Sequence, residues 1–469
     1  METTGATRPC SVLTLGELAA VVGGEAIGNR TVRIEGYAID SRAIRAGELF
    51  IAIEGQRLDG HEFVQAAHEK GACAAVVARA DALGESAGVV VDDTLQALQK
   101  LGRYHRRRSG TRVVAITGSV GKTTTKELTA AVLESRFDVF RTKGNLNNHI
   151  GLPLSLLALA DRPEVAVLEL GMNAAGEISR LVELAEPDVR VWTNVAEVHA
   201  EFFPSVDAIA DAKAEILEGA TAETEVVANA DDARVMSRVW RSPAKVTTFG
   251  FGPGAEVTAA DIDERGLDGT AATIRTPLGE AQLQSSLPGR GNLANVLAAV
   301  AVGLRFDVSP EEAAARVASV TAAPGRGRLL RPGRGVVVVD DTYNASPLAV
   351  RTALAAFAGD SRPGRRIAVL GEMLELGSRA LPLHRDTGRV AAAYELGLLL
   401  TVGGEAAEAM AVAAVEAGMP QGDVIYSEDS EGAASALIDR LEDGDVVLVK
   451  GSRGVRTEQV VARLEAECA

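Results

Sequence analysis

The run Val113-Val114-Ala115-Ile116-Thr117-Gly118-Ser119-Val120-Gly121-Lys122-Thr123-Thr124 constrains this chain more than any other segment. A β-branched apolar stretch leads into a glycine-rich turn, then Lys-Thr, then a helix-compatible sequence. Glycines let backbone N–H groups close around phosphate oxygens, and the helix that follows adds the positive end of its dipole. Gly118, Ser119, Val120, Gly121, Lys122, Thr123 and Thr124 are therefore candidate phosphate-loop residues. In such a loop the Lys122 amine reaches the outer phosphates and the Thr123 hydroxyl ligates Mg²⁺. The Gly-x-x-Gly-Lys-Thr spacing is two residues shorter than the usual Walker A loop. The plainer reading is a chance glycine turn beside a surface lysine; the strand-like and helix-like flanks weigh against it.

With 469 residues the chain is too long for one ordinary core. A hydrophobic content of 47% and a charged content of 24% fit a soluble globular protein. The formal charge of −16 argues against nucleic-acid binding, which needs clustered cations. The short cluster Arg106-Arg107-Arg108 reads as a solvated helix end. Cys10, Cys73 and Cys468 are scattered, which fits a reducing compartment and neither a metal nor a disulfide pattern. No basic patch and apolar run open the sequence as a signal peptide does, and no apolar stretch is long enough for a bilayer. A cytoplasmic protein without membrane insertion is expected.

Three sections are expected, giving an α/β fold. Residues 1–98 mix short strands (49–53, 74–77, 89–91) with helices at 15–22 and 62–70, and a helix over 94–108 leads into the phosphate loop. Residues 99–321 alternate strands (112–117, 165–170, 190–193, 225–229, 245–249) with helices (122–135, 175–185, 206–219, 231–239), the pattern of a covered parallel sheet. Within that section, 255–287 read as an antiparallel appendage, followed by helices at 291–305 and 310–319. The Gly/Pro/Arg-rich stretch 323–328 marks a linker. Residues 322–469 alternate again, with strands at 336–340, 366–370, 397–402, 423–426 and 445–449, as in a small Rossmann-like domain without the Gly-x-Gly-x-x-Gly fingerprint.

Several residues outside the loop are candidates for chemistry. Glu169 ends an apolar run, and a carboxylate at the C-terminal end of a parallel strand faces the ligand crevice; a solvated strand end is the plainer alternative. His199 follows another strand end and is either structural or a metal ligand. Lys213 reads by default as an exposed helix lysine paired with an acid. The polar loop 143–153, with Asn145, Asn147, Asn148 and His149, either orients a substrate or forms an Asx turn. Asp340-Asp341-Thr342-Tyr343-Asn344 follows a strand and is placed to meet a ribose, a metal or a substrate amine, while Ser346-Pro347 reads as a helix start.

Together these segments resemble the Mur ligase family, the ATP-dependent amino acid ligases of peptidoglycan synthesis. The resemblance is carried by residues 117–124, by Glu169-Leu170-Gly171-Met172-Asn173, by Asn194 with His199, by the Lys213 helix, and by Pro288-Gly289-Arg290-Gly291-Asn292-Leu293-Ala294-Asn295. Asp40-Ser41-Arg42, Gly47-Glu48-Leu49-Phe50 and Asp59-Gly60-His61 are similar to the UDP-sugar domain of the later ligases. Residues 144–151, 340–345, 371–377 and Lys450-Gly451-Ser452-Arg453 are similar to the branch that adds D-alanyl-D-alanine, and the Asp-Asn-Pro-Arg motif of the diamino-acid-adding branch is absent.

The resemblance implies three domains: UDP-sugar binding in 1–98, a central ATP-binding domain in 99–321, and a C-terminal domain in 322–469 that takes the dipeptide and closes over ATP. It implies ATP and two Mg²⁺ ions, the first on Thr123 and Glu169, the second on His199 supported by a carbamylated Lys213. Asn292 and Asn295 would contact adenine, Asp340 the ribose, and Arg326 the ATP phosphates, with Arg328 a competitor for that role. Ser41, Arg42, Asn147, Asn148, Tyr343, Asn344, Lys450 and Ser452 would contact the substrates, UDP-N-acetylmuramoyl-tripeptide and D-alanyl-D-alanine. One departure is Gly291, where the family usually carries His; it bears on one expected nucleotide contact and not on the fold. A monomer is expected. Another Mur-type amide ligase, diamino-acid-adding or folylpolyglutamate synthetase-like, would share the central chemistry, whereas a phosphate-loop switch protein would hydrolyse ATP with no acceptor amine.

Overall fold

The computed structural model describes residues 12–55, 57–198 and 201–468. They form two compact units, the described residues of 1–115 with 137–172 and 177–188, and those of 116–136 with 173–176 and 189–469.

The first unit opens with the helix Leu15–Val22, fixed at its start by a capping box between Thr14 and Glu17 and ended by Gly23 at φ 75°. A five-stranded sheet follows, in the order Glu25–Ile27, Gly88–Val90, Ala74–Val77, Glu48–Ile51, Gly36–Ala38. The Glu25–Ile27 strand is antiparallel to its neighbour and the other pairings are parallel. The helix Thr94–Ser109 is capped by Asp93 and lays Ala97, Leu98 and Leu101 against Leu15, Leu18, Leu49 and Ile51. Its basic end is not solvated throughout. Arg106 is buried and donates to the carbonyls of Ala185, Thr111 and Glu186 at 2.6, 3.0 and 2.7 Å. A helix-end carbonyl and two loop carbonyls converge there, and a guanidinium can satisfy all of them.

The strand Arg112–Thr117 passes from this unit into the next. Within the first, Arg112 N–H donates to Glu164 O at 3.0 Å, beside the strand Val165–Glu169, which pairs in parallel with Val139–Arg141. The stretch 143–153, expected as a loop, runs into the short helix Gly151–Leu157, whose Leu152, Leu156 and Leu157 are buried.

In the second unit Thr193 N–H donates to Thr117 O at 3.0 Å, which sets the end of the phosphate-loop strand beside Val189–Trp192. That strand is followed by Glu225–Asn229 and Lys245–Phe249, all parallel. The loop helix Lys122–Leu133 packs on Gly289–Leu304, an almost wholly apolar and buried helix. Their approach is close: a Cβ on Gly303 would lie 2.8 Å from Val132 Cγ1. Thr258–Glu264, Thr270–Thr276 and Gly279–Ser285 form the expected antiparallel sheet.

A six-stranded sheet follows in the order Arg328–Gly333, Val336–Asp341, Val446–Lys450, Arg366–Gly371, Leu398–Val402, Val424–Ser427. Only the Arg328–Gly333 strand runs antiparallel. It begins at the last residue of the expected linker 323–328, and its Pro332 falls in a register irregularity between Leu330 and Gly333 on the sheet edge, where proline is tolerated. Separate apolar clusters cover the two faces, one around Leu354, Phe357 and Leu399, the other around Leu437, Val460 and Leu464. Among the described residues no helix is long and apolar enough to cross a membrane.

Candidate functional site

The phosphate loop is tightly built. Gly121 has φ 83°, a conformation that favours glycine, and a Cβ there would overlap the side-chain carbonyl of Asn295. A Cβ on Gly118 would overlap the Thr193 hydroxyl. Behind the loop, Asn194 grips Val120 from both sides: its Oδ1 accepts from Val120 N–H and its Nδ2 donates to Val120 O, each at 3.0 Å. Thr193 Oγ1 donates to the same carbonyl at 3.0 Å. Ser119 Oγ accepts from Ala196 N–H at 2.8 Å and donates to Ala196 O at 3.1 Å. Sequence reasoning noted Asn194 only as part of a motif and missed Thr193 altogether. Their placement just after a strand end was the available signal, since neighbouring strand ends meet at one edge.

Lys122 curls over the loop, donating to Gly118 O at 2.8 Å and Ser119 O at 3.5 Å. Asn295 Oδ1 accepts from Thr125 Oγ1 at 3.1 Å, and Asn292 Nδ2 donates to Pro288 O at 2.8 Å, so both asparagines stand at the start of the helix packed under the loop. Replacing Gly121 by Ala is expected to raise the KM for ATP about tenfold, as the new Cβ pushes Asn295 aside and the loop opens. ATP titrations of the purified variant check this, and an unchanged KM would show that the close contact is irrelevant to nucleotide binding.

Arg326 reaches the same place. Its Nη2 lies 3.2 Å from Thr123 Oγ1, and its guanidinium stacks on the Tyr343 ring at 3.7 Å from the centroid. Arg328 instead sits on the edge strand, 4.0 Å from Asp340 Oδ2. The buried Asp340 accepts from Thr342 Oγ1 at 2.7 Å and from Gly325 N–H at 2.9 Å. Lys450 is buried and paired with Asp341 at 2.7 Å, also donating to Asn344 O at 3.0 Å. Ser452 Oγ accepts from Leu374 N–H at 3.0 Å, tying 450–453 to the 371–377 loop. Ser346 caps the helix Pro347–Ala358 as expected. At the departure from the family pattern, a Cβ on Gly291 would lie 3.1 Å from Thr352 Cγ2, a tight fit for anything larger.

Lys213 is the least ordinary residue of this unit. It lies on the helix Val206–Ala214 and is 2% exposed, so the reading as a surface lysine fails. Burial first, and the positive charge of Lys122 second, push its amine well below the usual lysine range. Arg190, on the strand Val189–Trp192, donates to Ile216 O and Glu218 O at 2.6 and 2.7 Å and so anchors the end of that segment. His199 lies outside the described residues.

In the first unit Glu169 is buried at its strand end and accepts from Asn147 Nδ2 at 2.7 Å. Asn147 O accepts from Gly171 N–H at 2.8 Å, so loop and strand end are held together. Asn148 takes the Asx-turn alternative, its Oδ1 accepting from Ile150 and Gly151 N–H at 3.2 and 2.8 Å ahead of the short helix. Ser41 is half-buried, and Arg42 is exposed and paired with Asp40 at 2.8 Å. The guanidinium and amide of Arg42 hold the Asp40 carboxyl down to about 2. Among the described residues no three His, Cys, Asp or Glu side chains cluster as a metal site.

A glycine-tight phosphate loop at the end of a parallel strand, overlain by an arginine from the C-terminal α/β section, defines a phosphate-loop α/β protein. Three family models match in order along the chain: "Mur ligase family, catalytic domain" over 33–106, "Mur ligase middle domain" over 116–303 and "Mur ligase, glutamate ligase domain" over 325–453. The UDP-N-acetylmuramoyl-tripeptide–D-alanyl-D-alanine ligase of Bacillus subtilis (strain 168) is 35% identical over 92% of this chain and 93% of its own length. Its Escherichia coli (strain K12) counterpart is 34% identical over 97% and 98%. A crystal structure of MurF from Acinetobacter baumannii superposes with a TM-score of 0.88 at 30% identity, covering 98% of this chain and all of that one. MurF ligase from Thermotoga maritima in complex with ADP gives 0.80 at 32% identity, covering 92% and 97%. The chain belongs to the Mur ligase family.

Proposed function

We propose that this chain is an ATP-dependent amide ligase that joins D-alanyl-D-alanine to UDP-N-acetylmuramoyl-tripeptide in peptidoglycan biosynthesis. The observation that carries this reading is near-full-length similarity to ligases of that name, on a chain whose phosphate loop and Arg326 meet at Thr123. Amide formation from a carboxylate is uphill in water and needs an activated acyl group. The terminal carboxylate of the tripeptide takes the γ-phosphoryl group of ATP, releasing ADP. The amine of the dipeptide attacks the acyl-phosphate carbonyl, the tetrahedral intermediate expels phosphate, and the amine loses its proton. Positioning and charge stabilisation carry these steps, with no covalent enzyme nucleophile.

Residues 1–98 bind the UDP-sugar, with Ser41 and Arg42 among the contacts. Residues 99–321 bind ATP, and 322–469 take the dipeptide and close over the site, which keeps water from the acyl-phosphate. Lys122 and the loop amides hold the phosphates, and Arg326 offsets the repulsion between the two anions as they meet. Asn292 and Asn295 face adenine. Asp340 retains lone pairs for a ribose hydroxyl beyond its two internal bonds. Asn147, Asn148, Asn344, Lys450 and Ser452 shape the peptide subsites, Lys450 by holding Asp341 and Asn344 in place. In this reading Thr123 and Glu169 would hold one Mg²⁺, and His199 with a carbamylated Lys213 would hold a second. Mg²⁺ supplies neutralisation of phosphate charge. The chain works as a cytoplasmic monomer on these small molecules. ADP release measured with D-alanyl-D-alanine, meso-diaminopimelate or glutamate as acceptor tests the assignment. Turnover is expected only with the first; a preference for either of the others would move the chain to a different branch of the family.

A further inference from the structure

The turn that carries Arg326 is fastened on both sides to one residue. Asp340 accepts from Gly325 N–H through its carboxylate at 2.9 Å and from Gly327 N–H through its main-chain carbonyl at 2.8 Å. Both glycines adopt positive φ, 72° and 83°, which lets the chain wrap tightly around that strand end. Tyr343 N–H donates to Gly325 O at 3.0 Å, and a Cβ on Gly325 would lie 3.2 Å from Tyr343 Cβ. The tyrosine is thereby locked beneath the arginine whose guanidinium it faces at 3.7 Å, while Arg453 lies farther off at 5.7 Å. An arginine side chain otherwise spends its rotamer entropy each time it must be aimed; a fixed aromatic face removes that cost in advance.

We infer that Tyr343 is a positioning residue for the ligase reaction: its ring holds Arg326 over the Thr123 hydroxyl, on a turn clamped by Asp340. This rests on the proposed role of Arg326 toward the ATP phosphates. The test is a double-mutant cycle on the full chain, read as kcat and as KM for ATP and for D-alanyl-D-alanine. Tyr343→Leu is expected to lose about tenfold in kcat with the dipeptide KM unchanged, the size of one good cation–π contact. Tyr343→Phe keeps the ring face and should stay within about twofold. Arg326→Ala should lose about 100-fold, and the double variant R326A/Y343L should be no worse than R326A alone. Should Tyr343→Leu not fold, Tyr343→Met removes the ring in the same cycle. Losses that multiply, or a Tyr343→Leu effect confined to the dipeptide KM, would overturn the positioning role alone. Full activity in Arg326→Ala would overturn the assignment of Arg326 itself, and the positioning role with it.

Discussion

Lys122→Ala is expected to cut ligation by about 10³-fold, or roughly 4 kcal/mol of transition-state stabilisation. The ammonium is the one loop group with a full positive charge, and in the proposed reading it meets the outer charges of the triphosphate. The loop amides donate hydrogen bonds but cannot replace that charge at the γ-phosphoryl group as it moves to a second anion. The fold should hardly notice. Lys122 is partly exposed and its bonds include two to loop carbonyls, Gly118 O and Ser119 O, so a thermal shift is expected to be small beside the loss of turnover. ADP release and a thermal melt on the same preparation separate the two effects. Turnover within tenfold of the parent enzyme would remove Lys122 from the phosphate site. The variant has a second consequence, because the charge of Lys122 is one of two causes that depress the Lys213 amine. Its loss lets Lys213 bind protons more readily, while burial continues to oppose the charged form.

The phosphate loop was legible because its chemistry is local. Strand, glycines, Lys-Thr and helix are contiguous, and each has a reason to be there that needs no distant partner. The alternating strands of 336–340, 366–370 and 445–449 were legible for the same reason, as apolar β-branched runs bounded by turns. What escaped depends on residues far apart in sequence. Arg106 looks like the first residue of a solvated basic cluster until Thr111, Ala185 and Glu186 bring their carbonyls around it. The Arg328–Gly333 strand hid in a glycine- and proline-rich stretch because only an edge position makes Pro332 harmless. Asn194 and Asn295 brace the loop from 70 and more residues away in sequence, and no spacing rule links them to Gly121. Lys213 is the sharpest case. By composition its helix, with Asp207, Asp211 and Glu215, reads as a charged surface segment, yet the lysine faces inward.

That inward placement gives the other large effect. Lys213→Ala is expected to lower turnover about 100-fold. A buried cationic lysine near Lys122 would be repelled and poorly solvated, so the neutral amine is favoured there. A neutral amine is the form that adds CO₂; the new N–C bond gives a carbamate after loss of one proton, converting a would-be cation into an anion. Short carboxylic acids should then partly restore Lys213→Ala by supplying the missing negative charge to the vacated space. The sign of the pH dependence follows. Acidification protonates the amine and would drain the proposed carbamate, so a CO₂ requirement is expected to grow as pH falls and to fade as it rises. A ¹³C-bicarbonate NMR experiment reads the adduct directly. A carbamate signal present in the parent and missing in Lys213→Ala is the expected result. Its absence from an active parent enzyme, or a Lys213→Ala enzyme retaining most of its turnover, would show that the buried amine has no part in the chemistry.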